Sequence, residues 1–139
     1  MKLTILSLVA ILATLILGTK SIMDLKVVNQ GLETVYHDRV VPLEQLKIIA
    51  DEYAVNIVDT THQTRNGNFD FEKCITNINS AESKIQKNWQ AYMSTSLTKE
   101  EAVLAKEAER MMLKGTEIAG KIKNACKNKD SLLLTKITI

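Results

Sequence analysis

The sequence predicts an all-α protein: an up-down-up-down antiparallel four-helix bundle whose first helix is continuous with an N-terminal transmembrane helix. Three observations lead to this fold class. The 139 residues include one proline and five glycines, too few to punctuate a β-sheet. A long apolar stretch opens the chain. Four later stretches carry apolar residues at alternating steps of three and four, which is the spacing of one helical face.

The N-terminal stretch from Leu3 to Thr19 contains no charged residue. Its length corresponds to a helix of about 25 Å, and extension past Lys20 to Met23 brings it close to the ~30 Å of a hydrocarbon core. Lys20 would then reach the membrane interface with its ammonium group. Signal-peptide cleavage sites need small residues, which are scarce near the end of this stretch. We therefore predict that residues 1–23 form an uncleaved anchor, with a cleaved signal peptide as the alternative. With either interpretation the rest of the chain is exported, and with the first, residues 3–23 lie in the membrane.

The first bundle helix is expected to continue the anchor. Its seam of apolar and polar residues at heptad spacing is Ile22, Leu25, Asn29, Leu32 and Tyr36. Pro42 fits the first turn of the second helix and disfavours helical conformation at Val41. We therefore expect a turn before Pro42, where the second helix begins. The seam of the second helix is Leu43, Leu46, Ala50, Tyr53, Ile57, Thr60 and Thr64.

The remaining helix ends carry recognisable capping residues. Gly67 offers a left-handed cap for the second helix, and Asp70 can cap the start of the third. The seam of the third helix is Phe71, Cys74, Ile78, Ala81, Ile85, Trp89 and Tyr92. The run from Thr98 to Glu101 is a capping box that opens the fourth helix. The seam of the fourth helix is Leu104, Ala108, Met111, Gly115, Ile118, Ile122 and Ala125. These boundaries predict a bundle domain over residues 24–127 and a C-terminal tail over residues 128–139, truncated before a second transmembrane helix.

The two cysteines, Cys74 and Cys126, could pair in an oxidising compartment. A tight turn centred on residue 96 would place Cys74 level with about residue 118. Cys126 would then lie about 12 Å further along the helix axis, whereas a disulfide requires Cα atoms within about 7 Å. The sequence therefore argues against an intramolecular disulfide.

Composition and motifs also exclude several functions. The net charge of +2, with no basic face interleaved with aromatics, argues against nucleic-acid binding. His37 and His62 lie near opposite ends of the second helix and lack the spacing of a metal or haem site, so we predict no metal and no cofactor. A nucleophile elbow, a phosphate loop and a convincing carboxylate pair are all missing from the sequence. We therefore predict no catalytic residues and no enzymatic activity.

Several short motifs follow one another along the chain. They are Tyr36-x-Asp38-Arg39, Pro42-Leu43, the run from Tyr53 to Asp59, His62-x-x-Arg65-x-Gly67, Trp89-x-x-Tyr92 and the run from Leu97 to Glu101. With these motifs in this order, roughly residues 5–125 resemble the four-helix-bundle extracytoplasmic sensor domain of bacterial methyl-accepting chemotaxis proteins.

The resemblance implies a periplasmic ligand-sensing domain that is anchored in the inner membrane and dimerises through its first and fourth helices. Such a domain binds a small molecule, an organic anion or an amino acid, and transmits a conformational signal across the membrane. The alternative interpretation is a ligand-free structural or adaptor bundle that dimerises or docks with a partner sensor.

Two polar clusters are candidate ligand sites. The membrane-distal end should bring together Tyr36, Arg39, Trp89, Tyr92 and Thr95, where a guanidinium group could bind a carboxylate. A second, mid-bundle cluster consists of Tyr53, Asn56 and Thr60, which lie at or beside seam positions where leucine or isoleucine would pack better. Both clusters also have a structural interpretation, because aromatic residues can close the end of a core and buried polar residues can set helix register.

Overall fold

The computed structural model describes residues 2–138. The helices are α1 (Lys2–Val35), α2 (Val41–Asp51), α3 (Thr60–Arg65), α4 (Phe71–Met93), α5 (Lys99–Lys127) and α6 (Ser131–Ile137). Two π-helical segments, Tyr36–Val40 and Glu52–Asp59, lie on either side of α2. No strand occurs among the described residues, so the predicted all-α fold class is confirmed.

The chain divides into two compact units, Met1–Val40 and Val41–Ile139. The N-terminal unit consists of α1 and the first π segment. α1 is uninterrupted from Lys2 to Val35, which confirms that the first helix continues the apolar N-terminal stretch. The helical stretch that begins at Thr4 contains an 18-residue window with a mean hydropathy of 2.1. This stretch is long enough and apolar enough to cross a membrane.

The expectation of a turn before Pro42 was wrong, because Tyr36–Val40 is π-helical and α2 begins at Val41. In a regular α-helix, Pro42 could not donate a hydrogen bond to the carbonyl of Asp38, and its ring would press on that carbonyl. A wider π-helical turn at this point accommodates the proline within helical backbone. The boundary between the two units still falls between Val40 and Val41, immediately before Pro42.

In the C-terminal unit, α4 packs against both of the other long helical elements. One is α5, and the other is the continuous path of α2, the second π segment and α3, which we call the 41–65 helix. The predicted seam of α4 is confirmed, since it is buried at Cys74, Ile78, Ala81, Ile85 and Tyr92 and half-buried at Phe71 and Trp89. Asn77 donates to Thr60 Oγ1 at 3.1 Å, and Lys84 donates to Glu52 Oε1 at 2.9 Å. Lys84 follows Asn77 along α4, whereas its partner Glu52 precedes Thr60 along the 41–65 helix. The two helices are therefore antiparallel, as predicted.

The predicted helix ends are confirmed as well. Gly67 adopts a φ of 79°, the left-handed conformation that closes α3. The Asp70 carboxylate accepts a hydrogen bond from the Lys73 N–H at 2.6 Å and caps α4. The Thr98 hydroxyl accepts from the Glu101 N–H at 3.2 Å, and the Glu101 carboxylate accepts from the Thr98 N–H at 2.8 Å. This reciprocal pair is the capping box that opens α5.

The two cysteines form a disulfide, so the prediction that they would not pair was wrong. The Cα atoms of Cys74 and Cys126 are 6.5 Å apart, and both residues are buried. The predicted offset assumed a tight turn between α4 and α5. Residues 96–98 instead have no helical or turn structure, and Thr98 is extended with φ −68° and ψ 168°. Because this non-helical segment carries the chain further along the bundle before α5 begins, Cys126 comes level with Cys74.

The predicted seam of α5 is wrong by one residue over much of the helix. Ile122 and Ala125 are buried as predicted, whereas the other α5 residues that pack inward lie one position after predicted ones: Ala105, Met112, Ala119 and Cys126. The predicted residues Leu104, Met111 and Ile118 are 67%, 60% and 47% exposed, and we call them the exposed α5 stripe. On α2, similarly, Ile49 is buried while the predicted Leu43 is exposed. Apolar residues cover two adjacent faces of each helix, and α4 buries only one of them.

The segment assigned to a C-terminal tail contains α6, which packs onto the bundle. The Asp130 carboxylate accepts from the Leu133 N–H at 2.9 Å and caps this short helix. Leu134 is fully buried in the same core cluster as the disulfide. Arg65 donates from Nη1 to Thr138 Oγ1 at 3.0 Å, which links the end of α3 to the end of α6.

Loss of the disulfide should lower the free energy of unfolding by about 2–4 kcal/mol, because the cross-link joins residues separated by 52 positions and restricts the unfolded chain. Urea unfolding in nonionic detergent, followed by circular dichroism, would measure the loss in a Cys74→Ala/Cys126→Ala variant. A reductant should weaken the parent protein and leave the double variant unchanged. Equal stability of the oxidised and reduced parent would contradict the prediction.

Candidate functional site

Two of the predicted distal residues, Tyr36 and Arg39, belong to the N-terminal unit. Both lie in the first π segment and are exposed. The Tyr36 ring meets the His37 ring edge-on, with centroids 5.3 Å apart and an interplanar angle of 80°. Their predicted association with the end of α4 stays a prediction.

The other three distal residues lie together at the C-terminal end of α4. Trp89 and Tyr92 stack with ring centroids 5.5 Å apart and an interplanar angle of 29°. Tyr92 is buried, and Trp89 is half-buried. The Thr95 hydroxyl donates to the Tyr92 carbonyl at 2.7 Å, so it serves the helix end locally. Of the three, Trp89 is the residue that lines a groove.

Asn56 and Thr60 take part in polar contacts between the 41–65 helix and α4. Asn56 donates to Glu52 Oε2 at 2.6 Å, and the other oxygen of this buried carboxylate accepts from Lys84. Thr60 is buried and accepts from Asn77. Each contact satisfies a polar group that would otherwise be buried at a cost in stability. These contacts favour the structural interpretation of Asn56 and Thr60, in which buried polar residues set the register of the 41–65 helix and α4.

Tyr53 spans the space between the 41–65 helix and α5. Its ring lies so close to Gly115 that a Cβ atom at that position would come within 2.8 Å of Tyr53 Cε1. The Tyr53 hydroxyl is 3.5 Å from the Met112 carbonyl oxygen. Gly115 was predicted as a seam residue, and its role is to leave room for this ring.

Tyr53 and Trp89 both line an open groove of about 510 Å³, which we call the central groove. Its volume falls within the range of small-molecule sites in proteins. The 41–65 helix contributes Tyr53 and Ile57, and α4 contributes Glu82, Ile85, Gln86 and Trp89. α5 contributes Glu109, Met112, Leu113, Gly115, Thr116, Ala119 and Lys123. The groove therefore combines an apolar lining with a few polar and charged groups.

Two carboxylates and one ammonium group line the groove. Lys123 donates to Glu82 Oε2 at 2.5 Å, and their side chains are 30% and 26% exposed. Glu109 also lines the groove and is exposed. Burial raises the pKa of Tyr53, a side-chain hydrogen bond with Thr116 lowers it, and the nearby Glu82 carboxylate raises it. Tyr53 therefore presents a neutral hydroxyl at physiological pH.

Sequence reasoning identified Tyr53 and Trp89 but missed the α5 side of the groove. Gln86, Glu109 and Lys123 carry no motif, and they resemble ordinary surface residues between seam positions. A signal for Gly115 was present, because a glycine inside a helical seam often marks a close approach of another element. Among residues 2–138, no three His, Cys, Asp or Glu side chains come together as a metal site.

Comparisons with known proteins agree with this architecture. A family model described as a four helix bundle sensory module for signal transduction matches residues 1–132. The methyl-accepting chemotaxis protein NahY of Pseudomonas putida is 45% identical over 71 residues, which are 51% of this chain and 13% of the relative. This chain thus matches only a small part of that relative's length. No solved structure matches the chain.

Gly115→Ala should stabilise the protein less than Gly120→Ala, because only the methyl group at position 115 meets the Tyr53 ring. Gly120 lies in the same helix with nothing within 4 Å of its Cβ position, so Gly120→Ala should add about 1 kcal/mol of stability. In a Tyr53→Ala background, Gly115→Ala should recover a similar gain. Urea unfolding of the variants as a double-mutant cycle measures this coupling. Equal gains at both glycines in the parent would show that Tyr53 does not lie against Gly115.

The raised pKa of Tyr53 predicts a loss of stability at alkaline pH. The unfolded phenol ionises near pH 10, whereas the folded state holds the phenol neutral. Its contribution to stability is complete below that pH and is lost as the pH rises through the higher pKa of the folded state. Unfolding free energies between about pH 8 and pH 11 should therefore fall more steeply in the parent than in Tyr53→Phe. Tyr36→Phe, at an exposed position, is the matched control and should behave like the parent.

Proposed function

The chain belongs to the family of four-helix-bundle sensory modules for signal transduction, and we propose that it is the ligand-sensing part of a methyl-accepting chemotaxis receptor. In this proposal the bundle binds a small molecule, an organic anion or an amino acid. The observation that carries it is the central groove, because a sensory module needs a place where a small molecule contacts more than one helix.

The proposed location is the periplasm, with residues 3–23 as an anchor in the inner membrane. Two features of the chain support it. α1 includes a stretch that is long and apolar enough to cross a membrane. The Cys74–Cys126 disulfide is typical of domains that fold in an oxidising compartment such as the bacterial periplasm.

A ligand in the central groove could alter helix packing directly. Tyr53 is the side chain that reaches from the 41–65 helix to α5, so a molecule beside it would change how these two helices approach each other. The disulfide holds α4 and α5 in register at the other end of the core, near α6. Movement of α5 would therefore take the form of a small rotation about this tether, with the displacement increasing away from it.

The exposed α5 stripe supports the proposed homodimer and also favours a second candidate function. Three large apolar side chains at seven-residue spacing form a seam suited to another helix. A ligand-free adaptor bundle that dimerises or docks with a partner sensor would use the same seam. The two functions differ in whether a small molecule changes the stability of the bundle.

The proposal is tested by thermal unfolding of the full chain in nonionic detergent against organic acids, amino acids, aromatic acids and amines. A ligand at a hundredfold excess over its dissociation constant adds about 2.7 kcal/mol and should raise the midpoint by several degrees. The signal is far-ultraviolet circular dichroism, which reports the bundle as a whole.

Two variants then locate the site. Arg39→Ala should abolish the shift if the predicted distal cluster binds a carboxylate, with Arg110→Ala as the matched control on the surface of α5. Trp89→Leu should abolish it if the ligand lies in the central groove. The absence of any shift across the panel, with an intact dimer, would reject ligand sensing and support the adaptor function.

A further inference from the structure

The charged residues that line the central groove disfavour the binding of an anion. Lys123 is the cationic side chain that lines it, and this ammonium group already pairs with Glu82. Arg110 and Lys114 follow Glu109 on α5 but do not line the groove, and Arg110 pairs with Glu107 instead. A carboxylate ligand would have to compete with Glu82 for Lys123 and would also approach Glu109.

Apart from the Glu82–Lys123 pair, Glu109 is the charged residue that lines the groove. No ion pair or hydrogen bond to the Glu109 side chain is found in the part of the chain that the structure describes. With Glu82 and Lys123 neutralising each other, the groove carries one net negative charge. A cation entering it would gain an attraction that an anion lacks.

The aromatic lining favours a cation for an independent reason. Tyr53 and Trp89 both line the groove, and the faces of such rings attract ammonium groups through their quadrupoles. Trp89 also stacks on Tyr92, which holds the indole in place. The neutral Tyr53 hydroxyl adds a hydrogen-bond acceptor without adding charge.

We infer that the central groove binds an organic ammonium ion, with Glu109 as its ion-pair partner and Trp89 as the surface on which it rests. Ile85, Met112 and Leu113 provide apolar walls for the alkyl part of such a molecule. The inference rests on the proposed sensory function and narrows its ligand class to amines and amino acids bound through the amino group. Organic anions are then excluded from this groove.

The single tryptophan of the chain makes the inference directly measurable, because Trp89 is the sole source of tryptophan fluorescence. The full chain in nonionic detergent would be titrated at constant ionic strength with choline and with butylammonium. Both should change the Trp89 emission saturably. Butyrate and 3,3-dimethyl-1-butanol, which is the neutral isostere of choline, should bind at least tenfold more weakly.

Three variants test the role of charge. Glu109→Gln should weaken the binding of choline or butylammonium severalfold, whereas Glu107→Gln, two residues away and outside the groove, should leave it within twofold. Lys123→Gln releases the Glu82 carboxylate and should strengthen cation binding severalfold, whereas it would weaken the binding of an anion. Glu109 is exposed, so Glu109→Gln should retain the fold, and circular dichroism checks this.

Each outcome separates this inference from the proposed function. If an organic anion changes the Trp89 emission and the cations do not, or if Glu109→Gln binds the cations as the parent does, the ammonium site is wrong and ligand sensing stands. Equal binding of choline and its neutral isostere would likewise show that the positive charge of the ligand does not contribute to binding, and would overturn the ammonium site. If no compound in either the fluorescence or the unfolding experiments binds, both proposals fall.

Discussion

The packing of α4 between the 41–65 helix and α5 is the constraint on which the rest of the C-terminal unit depends. Its buried seam lies between the core residues of its two neighbours, and the disulfide at Cys74 fixes how far α5 can slide along it. Because α4 holds both neighbours, they approach each other chiefly through the Tyr53 ring against Gly115. The central groove is a consequence of this arrangement, since two helices held by a third leave a space between them.

The two sides of α4 carry different chemistry. Toward the 41–65 helix, the buried Glu52 carboxylate is satisfied by Asn56 and Lys84, a network that specifies register more than it adds stability. Toward α5, the partly exposed Glu82–Lys123 pair borders the groove. The polar groups between α4 and the 41–65 helix bind one another. Glu109 and the aromatic rings that line the groove between α4 and α5 remain available to a ligand. This asymmetry supports a sensory role for the groove.

Features that depend on neighbouring residues were predicted well from the sequence. The caps at Gly67, Asp70 and Thr98 are correct because each involves bonds across three or four residues. The seam of α4 is correct because α4 is covered on both sides, so each residue of the predicted seam is buried or half-buried. The seam of α5 was misplaced because its apolar residues lie on two adjacent faces, and only contact with α4 decides which face is buried.

The sequence by itself determined the all-α class, the apolar first helix, the caps at Gly67, Asp70 and Thr98 and the motifs by which the family is recognised, because helical periodicity and capping are properties of short segments. It also indicated Tyr53 and Trp89. The tertiary structure decided the disulfide, the pairing of Glu82 with Lys123 and the contact of Tyr53 with Gly115. These depend on the register of α4 and α5, which the non-helical residues 96–98 shift by about two helical turns. Helical periodicity repeats with every turn and carries no information about such a shift, so the path of the connecting segment determines which side chains meet.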